Sequence, residues 1–232
     1  MDSTQQIIKH KKFGFHCCLI RYQNNLSWDT LCTVFSGKTY LLGGKGTSSS
    51  TEWLEAGTQT WQTGPNLGIQ FQWGCTIKIS DTEVLLIGGF YTKKNIFKLD
   101  VNTNNLTSIG ELQEERVGHA CAIIDKNIVI SGGENSNSTE IISLNDLQKS
   151  KLAGNLNQHR AYHKLIVSQV NNQPTLLAIG GSYVEDDVWK FRDSIEVWNP
   201  ITESWSVSDT LKLSEAKCCF GALLVPTSLI CP

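Results

Sequence analysis

Four times the chain drives an apolar run into a pair of glycines. "TYLLGG" ends at Gly43 and Gly44, "VLLIGG" at Gly88 and Gly89, "IVISGG" at Gly132 and Gly133, and "LLAIGG" at Gly180 and Gly181. The second glycines are spaced by 45, 44 and 48 residues. A period held this closely implies stacked copies of one supersecondary unit, and it constrains the fold more than any local propensity.

Aligned on the glycines, each unit opens with two apolar runs joined by a tight polar connection. "CTVFSGKTYLLGG", "IKISDTEVLLIGG" and "CAIIDKNIVISGG" read as hairpins that turn at Ser36-Gly37-Lys38, Asp81-Thr82-Glu83 and Asp125-Lys126-Asn127. In the fourth copy, "KLIVSQVNNQPTLLAIGG", the turn is longer by four residues. A polar loop and a third alternating segment follow each pair: "TEWLEA", "IFKLDV", "EIISLN" and "SIEVWN". After a turn, a fourth strand is expected to open on Trp61, Leu106, Leu152 and Trp205. Four short antiparallel strands per unit make one propeller blade.

Residues without Cβ at the end of an inner strand permit unusual φ/ψ and close backbone approach. Bulky groups from the third and fourth strands, such as the pairs Trp53 and Trp61 and Trp198 and Trp205, are then expected to pack over them between blades. This pattern resembles the kelch repeat, whose marks are the double glycine and a downstream aromatic pair. The resemblance covers about residues 26 to 231 and implies an all-β, kelch-type β-propeller. The second and third repeats depart from it, with Leu99, Leu106, Leu144 and Leu152 in place of aromatics, which implies looser packing there.

The repeats run over about 26–69, 70–113, 114–157 and 158–214. The last segment, "KCCFGALLVPTSLICP", aligns on "RVGHACAIIDKNIVIS" and so begins a fifth blade over 215–232. Residues 1–25 form an N-terminal segment expected to lend a strand to that blade. A blade buries its faces only against its neighbours. The alternatives to a composite fifth blade are therefore a fragment of a longer propeller, or self-association through open faces.

Composition excludes other classes. A net charge of −2 leaves no electrostatic footprint for nucleic acid or an anionic membrane. No apolar run approaches the ~20 residues of a membrane span, and "FGFHCCLI" lacks the features of a leader, so a cytoplasmic protein is expected. The eight cysteines show no C-x-x-C spacing for zinc, and Cys32 and Cys121 read as buried thiols in apolar strands. No phosphate loop and no nucleophile elbow is present in the sequence. Neither a metal nor a cofactor is expected, and no catalytic residue is assigned.

His119 and His163 fall at one place in successive repeats, "RVGHA" and "RAYHK", and are read as structural. Gln72, Arg116, Arg160 and Lys217 are expected to open the first strands of their blades, on the face that carries the loops after the glycine pairs. A ring of such side chains suits an acidic peptide; the alternative is local bonding to backbone carbonyls. Those loops vary most, and the longest, "SYVEDDVWKFRD", mixes Tyr183, Trp189 and Arg192 with acids, while Tyr91 stands in a shorter one. Exposed aromatics among charges are good contact residues. The expectation is a non-catalytic module that binds a protein or acidic peptide. Its kelch resemblance implies substrate recognition for a ubiquitin ligase as one use. The alternatives it admits are enzymes, namely copper oxidases and sugar-acid epimerases, and actin binders.

Overall fold

The computed structural model describes residues 31–35, 37–44, 49–170 and 173–220. Every regular element among them is a β-strand, and the strands form four four-stranded antiparallel sheets, a fit to a β-propeller-like fold. The first sheet joins β1 (Leu31–Phe35), β2 (Lys38–Leu42), β3 (Thr51–Glu55) and β4 (Gln62–Thr63). The second joins β5 (Cys75–Lys78), β6 (Glu83–Gly89), β7 (Lys93–Asp100) and β8 (Asn105–Glu111). The third joins β9 (Ala120–Ile124), β10 (Asn127–Ser131), β11 (Thr139–Ser143) and β12 (Asp146–Ala153). In the fourth, β13 (Lys164–Val170) and β14 (Gln173–Ile179) are followed by a separate hairpin, β15 (Ser182–Glu185) and β16 (Val188–Phe191), before β17 (Ser194–Asn199) and β18 (Ser204–Lys212).

The first strands β1, β5, β9 and β13 are neighbours in succession, so they form the inner edge of the arrangement. The second strands are the apolar runs before the glycines, and their two-residue alternation explains why they lack polar positions. Val84 and Leu86 point toward the first sheet, where they pack with Leu42, Leu67 and Phe71. Leu85 and Ile87 point the other way, against Ile128, Ile130 and Ile142 of the third sheet. Val129 turns toward the fourth sheet and meets Leu176, Ala178, Trp198 and Trp205. Both faces of these strands are buried between sheets, so both must be apolar.

The glycine pairs knit neighbouring sheets together. The N–H of the second glycine donates to a carbonyl in the segment that follows its sheet: Gly44 to Phe71, Gly89 to Arg116, Gly133 to Arg160 and Gly181 to Lys217, at 2.7–3.1 Å. Deeper in, Gly118 donates to the Trp73 carbonyl, Tyr162 to that of Gly118 and Cys219 to that of Tyr162. Those four links of the chain, Trp73, Gly118, Tyr162 and Cys219, all have φ between 56° and 66°. This ladder corrects the repeat alignment: Phe71, not Gln72, is the counterpart of Arg116, Arg160 and Lys217.

Other expectations are corrected too. The groups against the first glycines come from the segment that follows each sheet: His119 lies against Gly88, His163 against Gly132 and Phe220 against Gly180. Trp198 and Trp205 do pair across β17 and β18, with ring centroids 5.0 Å apart in an inter-sheet core. In the third sheet, however, β12 begins at Asp146, so Leu147 takes the place expected for Leu152, which pairs with Glu140 and is exposed. The tight Leu144-Asn145 turn shortens that connection. The extra residues of the fourth repeat lengthen the hairpin rather than its loop, since β13 and β14 pair along seven residues each. Cys121 is not a free thiol but is disulfide-bonded to Cys75, joining β5 to β9. The expected fifth blade and the 1–25 strand lie mostly outside the described residues.

A candidate partner-binding cleft on the glycine-pair face

Among the basic residues expected to read acidic peptides, two are sealed inside the protein. Arg116 is 1% and Arg160 0% exposed. Arg116 donates Nε to Glu140 at 3.0 Å and Nη1 to the carbonyls of Gly132 and Ser138. Arg160 repeats the arrangement on Glu196 and on the carbonyls of Gly180 and Ser194. The carboxylates are themselves saturated. Glu140 accepts the backbone N–H groups of Gln113 and Glu114 and the Ser150 hydroxyl, and Glu196 accepts the N–H and side chain of Asn157. These networks fasten each inter-sheet connection to the third strand of its sheet, and a guanidinium so enclosed presents nothing to a partner. Gln72 is likewise buried. Lys217 stays half-exposed and pairs with Glu215.

The two equivalent histidines are buried between sheets. Burial, reinforced by the Arg116 charge, pushes His119 down to about 3, and neither of its ring nitrogens makes a hydrogen bond. His163 is also held well below the ordinary range by burial and then by Arg160, with Nε2 2.9 Å from the Ser131 hydroxyl. Both are neutral packing groups at pH 7.

The exposed aromatics are gathered elsewhere. Among the described residues, every aromatic side chain that is exposed, namely Phe90, Tyr91, Trp189 and Phe191, belongs to a segment that follows a glycine pair. Three of them, Phe90, Tyr91 and Trp189, join Trp73 and Tyr162 in a chain of ring contacts across the face. Tyr91 meets Phe90 at 5.0 Å, Phe90 meets Trp73 at 5.3 Å, Trp73 meets Tyr162 at 6.5 Å and Tyr162 meets Trp189 at 6.0 Å. Trp73 and Tyr162 belong to the inner ladder of positive φ, which is why two sheets can aim rings at one place.

The segment expected as a long loop is a hairpin. Asp186 and Asp187 both take positive φ, 52° and 58°, the geometry that turns two strands in two residues. Register places Val184 opposite Trp189 and Ser182 opposite Phe191 on one side of the ribbon, and Tyr183 opposite Lys190 on the other. The apolar side leans over a cleft of about 250 Å³, whose walls include Glu134, His159, Ala161, Tyr183, Val184 and Trp189. Arg192 stacks on the Tyr183 ring at 3.9 Å and donates to the His159 carbonyl, bracing the hairpin. Lys190 is ion-paired with Glu185.

Of the residues expected to contact a partner, Tyr91, Tyr183, Trp189 and Arg192 lie on or beside this surface. Trp73, Phe90, Tyr162 and Glu134 were not foreseen. Their signal was present: the positions two after Phe71 and Arg160 hold Trp73 and Tyr162, but the alignment was one residue out at the second repeat. Among the described residues no group of three His, Cys, Asp or Glu side chains could hold a metal ion, and no helix is long and apolar enough to cross a membrane.

No protein-family model matches the chain, and no curated protein matches it. Among solved structures, that of YjhT is similar, with a TM-score of 0.70 and 13% identity over 82% of this chain and 72% of that one. At this identity the likeness is one of fold.

Proposed function

We propose that the chain is a kelch-type β-propeller that captures a partner protein or peptide, without catalysis, on the face formed by the segments after its glycine pairs. The observation that carries the reading is that the exposed aromatic side chains among the described residues all stand on the segments after glycine pairs, one of them, Trp189, in the wall of a cleft. Among the described residues the other aromatic side chains are packed or partly covered, and a protein surface seldom keeps a cluster of large apolar groups without a use. Aromatic anchors beside a pocket are the usual source of binding energy in an interface. A rigid scaffold of stacked sheets with divergent loops suits recognition, because the loops change while the core does not. Substrate recognition for a ubiquitin ligase is the narrower form of the proposal.

A cytoplasmic location remains part of it, and it has a consequence for the cysteines. In a reducing compartment Cys75 and Cys121 would be thiols, and their bond would close on oxidation.

The test is affinity capture from cells with the intact chain and with a variant whose 183–191 hairpin is replaced by a short Gly-Ser turn. Proteins captured by the first and lost with the second are the expected result. An identical set from both would overturn the reading.

A further inference from the structure

Resting on that reading, we propose that the cleft beneath the β15–β16 hairpin takes a cationic side chain, an arginine or lysine presented by the partner, against the Glu134 carboxylate and the Trp189 ring that line it. The partner is thus a basic segment, the opposite of the sequence expectation.

Three observations converge. First, the cleft has a charge of its own. Glu134 lines it and accepts a hydrogen bond from the Tyr162 hydroxyl. Among the described residues no Lys, Arg or His stands within ion-pair distance of Glu134. Secondly, the neighbouring cations are already engaged, Arg192 among them at the cleft's own wall, where it lies on Tyr183 and donates to the His159 carbonyl. Arg116 and Arg160 are enclosed with Glu140 and Glu196, Lys190 holds Glu185, and Lys93 holds Glu115. Thirdly, two of the walls are aromatic, Tyr183 and Trp189. The Trp189 ring packs on that of Tyr162 at 6.0 Å, and the Tyr162 hydroxyl reaches Glu134, so ring and carboxylate are held together. Aromatic faces attract a cation through their quadrupole, Trp most of all, and the attraction grows as the cation leaves water.

The chemistry disfavours an anion. A carboxylate ligand would meet Glu134 and the electron-rich ring faces together, with the hairpin acids Glu185, Asp186 and Asp187 close in the sequence to Trp189. A purely apolar side chain would fill the volume but would desolvate the Glu134 carboxylate with only the Tyr162 hydroxyl to compensate it. An arginine satisfies both requirements, since its planar guanidinium can stack on a ring while its N–H groups donate to the carboxylate. A volume of about 250 Å³ accommodates one long side chain rather than a folded element.

The experiment follows the indole signals of the ¹⁵N-labelled intact chain during titration with N-acetyl-arginine methylamide, its lysine and glutamate counterparts, and glucose. The expected result is a saturable shift of the Trp189 indole with the arginine or lysine compound and none with glutamate or glucose. Glu134→Gln should weaken that binding about tenfold while the remaining spectrum shows an intact fold. Trp189→Ala, read on the Trp73 indole, should weaken it as well. Absence of a saturable shift with either cation would overturn the inference, as would selective binding of glutamate or glucose, or full affinity in Glu134→Gln. Failure here with hairpin-dependent capture intact would leave partner binding standing by another chemistry. Cation binding with hairpin-independent capture would overturn the function proposed above and spare the cleft.

Discussion

His119 shows what a buried polar side chain costs in this architecture. Its ring fills the space that Gly88 leaves open, yet neither nitrogen has a partner. The counterpart in the last repeat is Phe220, which sits against Gly180 in the same way. The site therefore asks for a flat ring and not for an imidazole. The folded-state pKa of His119, about 3, lies far below the 6.5 of a free side chain, so between those values the unfolded chain binds the extra proton. Stability is then complete above about pH 6.5 and falls as the pH drops toward 3, by roughly 1 kcal/mol per pH unit for one such ring. His163 acts in the same direction. His119→Phe is expected to hold or raise stability at pH 7 and to shallow the loss between pH 6.5 and 5, measured by urea unfolding across that range. An unchanged pH slope would mean that His119 is not buried as a neutral group. At this scale the sequence was only partly legible. The equivalence of His119 and His163 marked them correctly as structural. The same equivalence of Arg116 and Arg160 was open to two readings, because a ring of arginines looks alike whether the side chains face solvent or carbonyls. What separates them is Glu140 and Glu196, which lie 24 and 36 residues further along the chain.

At the scale of elements, the glycine pairs are where sequence and structure agree most closely, and the reason is more specific than conformational freedom. A Cβ on Gly132 would stand 2.4 Å from the Arg160 carbonyl oxygen, and its φ is +63°. The adjacent Gly133 N–H donates to that same carbonyl. Two neighbouring sheets therefore share one crowded point. Gly37, by contrast, has φ of +77° with nothing within 4 Å of an added Cβ. Gly37→Ala should carry only the cost of the left-handed backbone, about 1–2 kcal/mol. Gly132→Ala carries that cost and must also push the fourth sheet away, so its loss should be clearly larger in thermal or urea unfolding. Equal losses at the two positions would show that close approach between sheets is not what the glycines provide. The hairpin β15–β16 was harder to foresee. It turns on Asp186-Asp187 rather than on Asn-Gly, and its outward residues are apolar, so neither turn chemistry nor alternation announced it. Only the tertiary setting, with Tyr162 beneath Trp189, explains why an apolar ribbon is held at the surface.

For the whole molecule, the question is how separate sheets cohere when each buries its faces only against the next. Between the second and third sheets of the oxidised protein the answer includes a covalent link. Cys75 on β5 and Cys121 on β9 sit at the inner edge, beside a cluster that includes Leu85, Ile87, Ile128 and Ile130. The bond closes a loop with a sequence separation of 46. In the chain-entropy view such a loop destabilises the unfolded state by about 4 kcal/mol, a large share of the stability of an ordinary domain. A link of this kind ties two units of a nearest-neighbour array, so its loss should loosen that junction first and the glycine-pair face with it, because Trp73 and Gly118 are hydrogen-bonded across the same junction. Two measurements decide the matter. Peptide mapping without reductant should recover Cys75 and Cys121 in one linked fragment. The unfolding midpoint should fall on adding reductant, and a Cys75→Ala/Cys121→Ala variant should start at the lowered midpoint and ignore reductant. If both cysteines alkylate freely in the folded protein and reductant leaves the midpoint unmoved, the junction rests on apolar packing and the backbone ladder alone, and the inner edge needs no covalent tie.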